Sequence, residues 1–267
     1  IQAGIECIVV NPADIATTDK EKRRKTDAKD ASRLVRQLRN GTLSGIYIPD
    51  LTSEQDRQLV RLREELVQDE RRGQQRIKAY LKLAGDLPSD WPEQWRLRKK
   101  MMSRLETFAQ NRWEGQADHN LLMRLQHLIN IREQLMTVNE QIKSVLEAKH
   151  SKTYGCLQSI PGIGPITAAY LILEIIDMDR FKNQNKLFAY IGLIPDVHNS
   201  GQQQRDSGIT RRANNILRRM LIEASWIAIR KDKHLAAAYG RYSQRMVANK
   251  AIVKIARKLL ARIRAVW

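Results

Sequence analysis

The sequence contains very little cysteine, and this bounds the class of protein that it can encode. Only Cys7 and Cys156 occur in 267 residues, and both stand in apolar surroundings. Two isolated cysteines do not make a disulfide framework, so they exclude a disulfide-stabilised secreted scaffold and favour a reducing compartment. We expect both thiols to be buried.

Long apolar runs are absent, and acidic residues are scarce. No stretch of about 18 apolar residues occurs, which predicts that nothing in the chain spans a membrane. The 47 Lys and Arg residues outnumber 29 Asp and Glu residues, for a net charge of +18 and a pI near 10.2. Such an excess indicates a polyanionic partner, and nucleic acid is the first to consider.

The N-terminal segment, residues 1–50, combines α and β signals. The apolar run Ile5–Val10 is closed by Asn-Pro, which predicts a buried strand of an α/β layer. Thr26 precedes a predicted helix that ends near Gly41. The sequence begins at Ile1 and not at Met, and it ends without a tail. We interpret it as part of a longer protein, so a site that needs upstream residues would be incomplete.

Residues 51–150 predict a long antiparallel coiled-coil arm. Leucine and isoleucine recur at helical spacing through a highly charged segment, and an interruption at residues 85–95 separates two helices. The predicted core positions are Leu59, Leu62, Leu66, Ile77, Leu81, Leu121, Leu125, Leu128, Leu135, Val138, Ile142 and Val145. An ordinary helical bundle is the alternative.

Residues 151–267 predict an all-helical domain that carries much of the positive charge. From Thr210 to Trp267 there are 15 Lys and Arg residues and only two acids, Glu223 and Asp232. The stretch "IPGIGPITA" matches a helix-hairpin-helix turn, in which Gly162 and Gly164 would let backbone amides approach a phosphate. A glycine turn between two core helices, with no ligand, is the alternative.

Asp27 and Asp30 are candidate metal ligands. Their i, i+3 spacing in "KTDAKDA" places both carboxylates on one helix face, beside the cation Lys25. Mg²⁺ prefers oxygen ligands, and carboxylate-bound metal pairs assist phosphodiester displacement. Aspartates are also favoured in a solvated first helical turn, so the spacing alone leaves both readings open.

Ser200 is a candidate nucleophile in the polar stretch "HNSG". Gly201 would give the hydroxyl room, and His198 is a possible base two residues away. Guanidinium groups suit a phosphate whose charge grows during reaction, so the arginines nearby are candidate nucleic-acid contacts: Arg205, Arg211, Arg212 and Arg218. A serine-glycine pair in a loop is also a common turn.

Taken in order, "GIECIVVNP", "KTDAKDA", "PGIGPITA" and "NSG…GITRRANNILRRMLIEASW" resemble the DEDD-type insertion-sequence transposases over nearly the whole chain. The resemblance implies a mainly α protein of three parts. These are an incomplete RuvC-like α/β fragment at 1–50, the coiled-coil arm at 51–150, and a helical transposase domain at 151–267 with a helix-hairpin-helix turn.

The resemblance also assigns roles and partners. Asp27 and Asp30 match the last two acids of a four-acid Mg²⁺ site, and Ser200 matches the serine that attacks the DNA phosphodiester. It implies DNA, a structured non-coding guide RNA and further copies of the chain, as a dimer or tetramer, as partners. It implies the cytoplasm of a bacterium, with association to the nucleoid. This chain has "NSG" where many members have "SSG", and "RRAN" where many have "KRGN".

Two other functions are compatible with these residues. A RuvC-like junction nuclease would use the acidic site alone, with Ser200 as a turn residue. A non-catalytic helix-hairpin-helix protein would bind nucleic acid without cutting it.

Overall fold

The computed structural model describes residues 4, 7–16, 26–85, 97–113, 116–200, 203–210 and 213–267; for 195–200 and 203–209 it describes the backbone alone. The chain forms two compact units, Ile1–Leu51 and Thr52–Trp267. The described residues are mainly α-helical, which confirms the prediction of a mainly α protein.

The first unit contains helix α1, Asp27–Arg39, and a short 3₁₀ turn, Pro12–Asp14. Val10 forms an isolated antiparallel bridge with Gly45. The predicted buried strand is wrong for the residues described, because Ile8 and Val9 are 45% and 44% exposed. A buried strand needs helices packed on both faces, and α1 has no buried residues. Cys7 is likewise exposed, not buried as predicted, and Cys156 is half-buried.

The second unit begins with three helices, which we call the arm: α2 is Leu51–Ala84, α3 is Lys99–Gln110 and α4 is His119–Lys149. Three side-chain pairs link α2 to α4 in opposite order along the chain. Along α2, Asp56 accepts a hydrogen bond from Lys149 at 2.5 Å, Arg63 donates one to Asn139 at 2.7 Å, and Glu70 accepts one from Arg132 at 2.8 Å. The α2 positions rise while the α4 positions fall. The two long helices therefore run antiparallel.

The apolar stripe of α4 follows the predicted spacing with one shift at its end. Val145 is half-buried, and Leu146 is buried in its place. An α-helix has 3.6 residues per turn, so a strict 3.5-residue repeat drifts off the contact line over several turns. Buried residues of α4 are Leu121, Leu125, Leu128, Ile131, Leu135, Val138, Ile142 and Leu146.

Helix α2 departs from the predicted core in its first half, whereas Leu66, Ile77 and Leu81 are buried as predicted. Leu62 is 43% exposed, whereas Val60 is fully buried and Glu64 is 6% exposed. Glu64 accepts a hydrogen bond from Arg219 at 2.7 Å. This half of α2 packs against the C-terminal helices as well as against α4, so a two-helix seam does not describe it.

In the described residues of the second unit, six further helices and a β-hairpin follow the arm. The elements are α5 Ser151–Gln158, α6 Pro165–Ile175, α7 Gln184–Ile191, β1 Pro195–Ser200, β2 Gln203–Ile209, α8 Asn215–Lys231, α9 Lys233–Ser243 and α10 Ala248–Val266. Helix α8 ends at Lys231 and α9 ends at Ser243. Asn183, Asn214 and Asp232 cap α7, α8 and α9 with side-chain hydrogen bonds.

Two apolar cores stabilise this unit. The smaller one lies at the far end of the arm, among α2, α3 and the first half of α4. The larger one joins the near end of the arm to the C-terminal helices, with α6 buried along Ala168–Ile175. Among the described helices, none is both long and apolar enough to cross a membrane.

Candidate functional site

Ser200 lies at the outer end of a β-hairpin, where a loop was expected. Strands β1 and β2 pair antiparallel, with Pro195 opposite Ile209 at the base and Ser200 opposite Gln203 at the far end. At about 3.4 Å per residue, five residues of strand separate Ser200 from the base by about 17 Å. Polar sequence without apolar alternation gave no strand signal here, so the hairpin could not be predicted from periodicity.

The hairpin register places further candidate residues beside Ser200. His198 is opposite Arg205, and Ser200 is opposite Gln203. Residues two apart along a strand share a face, as do residues directly opposite in an antiparallel pair. Positions 198, 200, 203 and 205 therefore belong to one face of the hairpin.

The base of the hairpin is bound to helices α7 and α8. Thr210 N–H donates to the Ile194 carbonyl at 3.3 Å, and Asn214 N–H donates to the Tyr190 carbonyl at 2.9 Å. Arg218 Nη1 donates to the Thr210 carbonyl at 2.6 Å and to the Gly192 carbonyl at 3.5 Å. Backbone and side-chain bonds thus fix both strands where they leave the helical core.

Arg218 is engaged by the protein itself. Besides those two carbonyls, its Nη2 donates to Asn215 Oδ1 at 2.5 Å. Nη1 of this predicted nucleic-acid contact therefore holds the hairpin base, and Nη2 binds the first residue of its own helix.

Gly192 is required where α7 turns into β1. It has a left-handed backbone, with φ of 77°. A Cβ at this position would lie 2.3 Å from Ala213 Cβ and 3.0 Å from Arg218 Nη1. Only glycine both adopts this positive φ and leaves room for Ala213 and Arg218. The turn therefore allows the residues that follow β2 to approach closely.

A buried carboxylate, Glu174 of α6, supports the same region. Its side chain is 1% exposed and accepts from Arg61 Nε at 2.9 Å and from Asn214 Nδ2 at 2.8 Å. Tyr190 donates its hydroxyl to the Glu174 carbonyl at 3.1 Å. The hydrogen bond with Glu174 raises the pKa of Arg61, so the guanidinium stays charged. Glu174 thereby links α2, α6 and the start of α8.

Sequence reasoning missed Glu174, although a signal was present. It is the lone acid in the apolar run "AAYLILEII". A carboxylate in a fully apolar helix must be paired to be buried, so it predicts a cationic partner from elsewhere in the chain. The partner Arg61 is 113 residues away and carries no local signal.

The two glycines of the predicted helix-hairpin-helix turn have different surroundings. Gly162 has φ of 94°, and a Cβ there would lie 2.4 Å from the Ala224 carbonyl oxygen of α8. Gly164 precedes Pro165 at the start of α6 and has open space beside it. Packing against α8 is thus sufficient to explain Gly162, whereas nothing in the packing requires Gly164.

The candidate metal ligands lie in the first turn of α1. Asp27 is exposed, and Asp30 accepts from Arg33 Nη1 at 3.0 Å. Two carboxylates on one turn fit part of an oxygen-ligand sphere for Mg²⁺. Within the described residues, no group of three or more His, Cys, Asp or Glu side chains could hold a metal ion.

Several predicted residues lie outside the described part of the chain. These are Lys25, Gly201, Arg211 and Arg212.

The chain is similar in sequence to transposases of insertion elements. The family model described as "Transposase IS116/IS110/IS902 family" matches residues 154–240, and a DEDD transposase model for IS110, described as "Transposase", matches residues 1–85. Together they cover more than half of the chain. The first match includes Glu174, Ser200 and Arg218, and the second includes Asp27 and Asp30.

Individual relatives give the same result. The chain is 30% identical to "Putative transposase y4qE" of Sinorhizobium fredii, over 84% of this chain and 53% of the relative. It is 29% identical to y4rJ of that organism, described in the same words, over 99% of this chain and 71% of the relative. It is 35% identical to "Transposase for insertion sequence element IS1111A" of Coxiella burnetii, over 40% of this chain and 29% of the relative. The chain spans about half the length of y4qE.

Proposed function

Because the chain belongs to the IS116/IS110/IS902 family of insertion-sequence transposases, we propose that it cuts and rejoins DNA with Ser200 as the nucleophile. The position of Ser200 carries this proposal. It ends a strand at the outer edge of an anchored hairpin, so a DNA backbone can reach it without entering the helical core.

The reaction exchanges one phosphorus–oxygen bond for another. Ser200 Oγ attacks the scissile phosphorus, the bond to the departing deoxyribose oxygen breaks, and that oxygen takes a proton. The DNA strand is then joined to Ser200 as a phosphodiester. Attack by the hydroxyl of another DNA end releases the serine and reseals the strand. No high-energy cofactor is needed, since the number of phosphodiester bonds is unchanged.

Residues on the same hairpin face supply the other groups that this attack needs. His198 is the candidate base for the serine proton, because it shares the face of Ser200 in the strand register. Arg205 is opposite His198, where a guanidinium would stabilise the charge that grows on the phosphate. Arg211 and Arg212 would add to this cationic environment.

The acidic residues of the first unit would hold Mg²⁺. Asp27 and Asp30 would supply the last two carboxylates of a four-acid site. When bound, the metal polarises a phosphate oxygen. The ion pair with Arg33, at 3.0 Å, would orient the Asp30 carboxylate in this site.

Two kinds of partner follow from the same proposal. A structured RNA encoded by the same insertion sequence would select the DNA target. Sequencing the RNA that co-purifies with the protein would identify this RNA. The Asp27 and Ser200 regions would meet in a composite site built from two subunits of a dimer or tetramer. The net charge of +18 suits a protein that holds two nucleic acids at once.

A matched pair of serine variants tests the proposal. We expect Ser200→Ala to abolish strand transfer of DNA that carries the ends of the encoding element, while binding to that DNA is unchanged. The hairpin contains a second serine-glycine pair, so Ser207→Ala is the control and should retain strand transfer. Unimpaired strand transfer by Ser200→Ala would refute the assignment. Metal-dependent cleavage of branched DNA by that variant would instead favour a junction nuclease.

A further inference from the structure

Glu174 is a buried carboxylate that the serine chemistry does not use. Its side chain is 1% exposed, and the other residues of α6 are uncharged. A well-packed apolar residue could fill such a position without the cost of removing a charge from water. The carboxylate is therefore explained by its contacts and not by the packing of the helix.

Glu174 contacts both ends of the β-hairpin. Its Oε2 accepts from Asn214 Nδ2 at 2.8 Å, five positions after β2 ends at Ile209. Its backbone carbonyl accepts from the Tyr190 hydroxyl at 3.1 Å, five positions before β1 begins at Pro195. Asn214 N–H in turn donates to the Tyr190 carbonyl at 2.9 Å. These three bonds close a ring that we call the hairpin clasp: Glu174, Tyr190 and Asn214.

The arm binds the same carboxylate. Arg61 of α2 donates from Nε to Glu174 Oε1 at 2.9 Å and from Nη2 to Oε2 at 3.4 Å. Two parallel bonds from one guanidinium fix the direction of a carboxylate as well as its distance, whereas a lysine acts as a point charge. The carboxylate that the arm orients is thus the one that holds Asn214.

The same turn of α2 makes two further polar contacts with the C-terminal helices. Arg63 Nη1 donates to the Tyr170 hydroxyl of α6 at 3.4 Å, and Glu64 accepts from Arg219 of α8 at 2.7 Å. From Arg61, α2 continues for about 35 Å to its far end. A movement of the far end of the arm would therefore act through a long lever on the turn that holds the clasp.

We propose that Glu174 is a positioning residue through which the arm sets the orientation of the Ser200 hairpin. The proposal rests on the proposed function, because it concerns the regulation of that serine. With the arm in the observed position, Arg61 holds the carboxylate, and the carboxylate holds Asn214 and the segment after β2. When the arm is displaced, the bidentate pair breaks, the clasp loosens and Ser200 loses its alignment. The position of the arm thus controls the rate of the chemical step and not the affinity for DNA.

Three conservative variants test this link without leaving a buried charge unpaired. Arg61→Lys keeps the positive charge beside Glu174 but cannot make both parallel bonds. Asn214→Ser keeps an N-cap for α8 but loses the amide that donates to Glu174. Arg132→Lys is the matched control, because it changes another Arg–Glu pair, with Glu70, that lies within the arm.

Hydrogen exchange of the β2 amides is the first measurement, made in Ser200→Ala protein without DNA. Arg61→Lys and Asn214→Ser should each accelerate exchange about fivefold, the effect of about one net hydrogen bond. The double variant should be no faster than Asn214→Ser alone, because both changes interrupt one link. Arg132→Lys should keep the parent rates. This measurement does not depend on the chemistry assigned to Ser200.

Strand transfer is the second measurement, made with Ser200 present. At saturating element-end DNA, the rate of Arg61→Lys should fall on the order of tenfold, as for a misplaced nucleophile, while its affinity for that DNA is unchanged. Parent exchange rates in β2 for Arg61→Lys would overturn the proposal. So would effects of Arg61→Lys and Asn214→Ser that multiply in the double variant.

Two other outcomes separate this proposal from the assignment of the serine. A lower DNA affinity with an unchanged rate would overturn the link, since Arg61 would then be a DNA contact. Faster β2 exchange in Arg61→Lys, together with strand transfer that survives in Ser200→Ala, would support the link between arm and hairpin and refute the serine instead.

Discussion

At the scale of single residues, the hairpin that carries Ser200 depends on a few groups at its base. Arg218 binds two backbone carbonyls that lie on either side of the hairpin. Glu174 and Asn214 fix the segment that follows β2. Sequence could identify Ser200 and Arg218 as members of one motif, but it could not show that Arg218 holds the hairpin base, because that role depends on long-range contacts.

Arg218→Met should impair strand transfer more than it impairs folding. The variant keeps the aliphatic stem but loses the bonds to Thr210 and Gly192, so the hairpin is no longer fixed and Ser200, the proposed nucleophile, loses its orientation. We expect at least a tenfold lower strand-transfer rate, by an order-of-magnitude estimate for a displaced nucleophile. Hydrogen exchange in β2 should become faster.

The exposed Arg230 of the same helix provides the control, since Arg230→Met should change neither quantity. If Arg218→Met retained the parent exchange rates in β2 and lost DNA affinity instead, Arg218 would be a nucleic-acid contact, as the sequence first indicated.

The two glycines of the turn before α6 should respond differently to alanine. Gly162→Ala forces a Cβ to within 2.4 Å of a carbonyl oxygen at a positive φ, so it should destabilise the protein by about 3 kcal/mol. Gly164→Ala meets open space and should change stability little. Thermal unfolding measures both effects.

DNA binding by Gly164→Ala tests the phosphate role that the motif predicts. Unchanged affinity would leave this turn with a structural role alone. An unchanged unfolding temperature for Gly162→Ala would contradict the packing account.

At the scale of elements, apolar periodicity predicted the long helices well. The stripe on α4 appears in the sequence because it packs along its whole length on one side. Prediction failed where packing is not periodic. Leu62 was assigned to the core, but it is exposed. Glu64 is buried on this half of α2 instead, where it accepts a hydrogen bond from Arg219 of α8. The hairpin was missed because its strands are polar.

The far end of the arm is held by a buried ionic group that gives a pH prediction. Asp118 caps α4 and accepts from Leu121 N–H, Tyr80 and Arg112. Burial alone would raise the pKa of Asp118, but these hydrogen bonds outweigh burial and lower it. A carboxyl whose pKa is lowered on folding stabilises the folded protein fully when the pH is above the pKa of the unfolded chain, about 3.9. This stabilisation is lost as the pH falls through the lower pKa of the folded protein.

Asp118→Asn should therefore lower the free energy of unfolding at pH 7, and the difference from the parent should shrink as the pH falls below about 4. Urea unfolding with a probe on α4 measures it. Asp69→Asn is the control, because Asp69 pairs with Arg72 at the surface and such pairs contribute little. A difference that stays constant from pH 7 to pH 3 would show that ionisation of Asp118 is not what holds this end of the arm.

At the scale of the whole molecule, charge and motif order were the most informative properties of the sequence. The excess of Lys and Arg indicated a polyanionic partner, and the order of the motifs matched a transposase family before any geometry was known. The first unit was harder to predict. Its apolar residues are typical of an α/β layer, yet Ile8, Val35, Leu38 and Ile48 are exposed in the structure. Burial depends on which segments are present to cover a face, and local sequence does not encode that.

The most direct test of the account is to identify the amino acid that becomes joined to DNA. The protein would be incubated with Mg²⁺ and element-end DNA carrying a nick that lets the leaving strand diffuse away, so that the joined species accumulates. After nuclease digestion, mass spectrometry of the peptides locates the residual phosphate. The account predicts a phosphoserine at Ser200, absent from Ser200→Ala and present in Ser207→Ala. Strand-transfer products formed with no adduct, or an adduct at another residue, would contradict it.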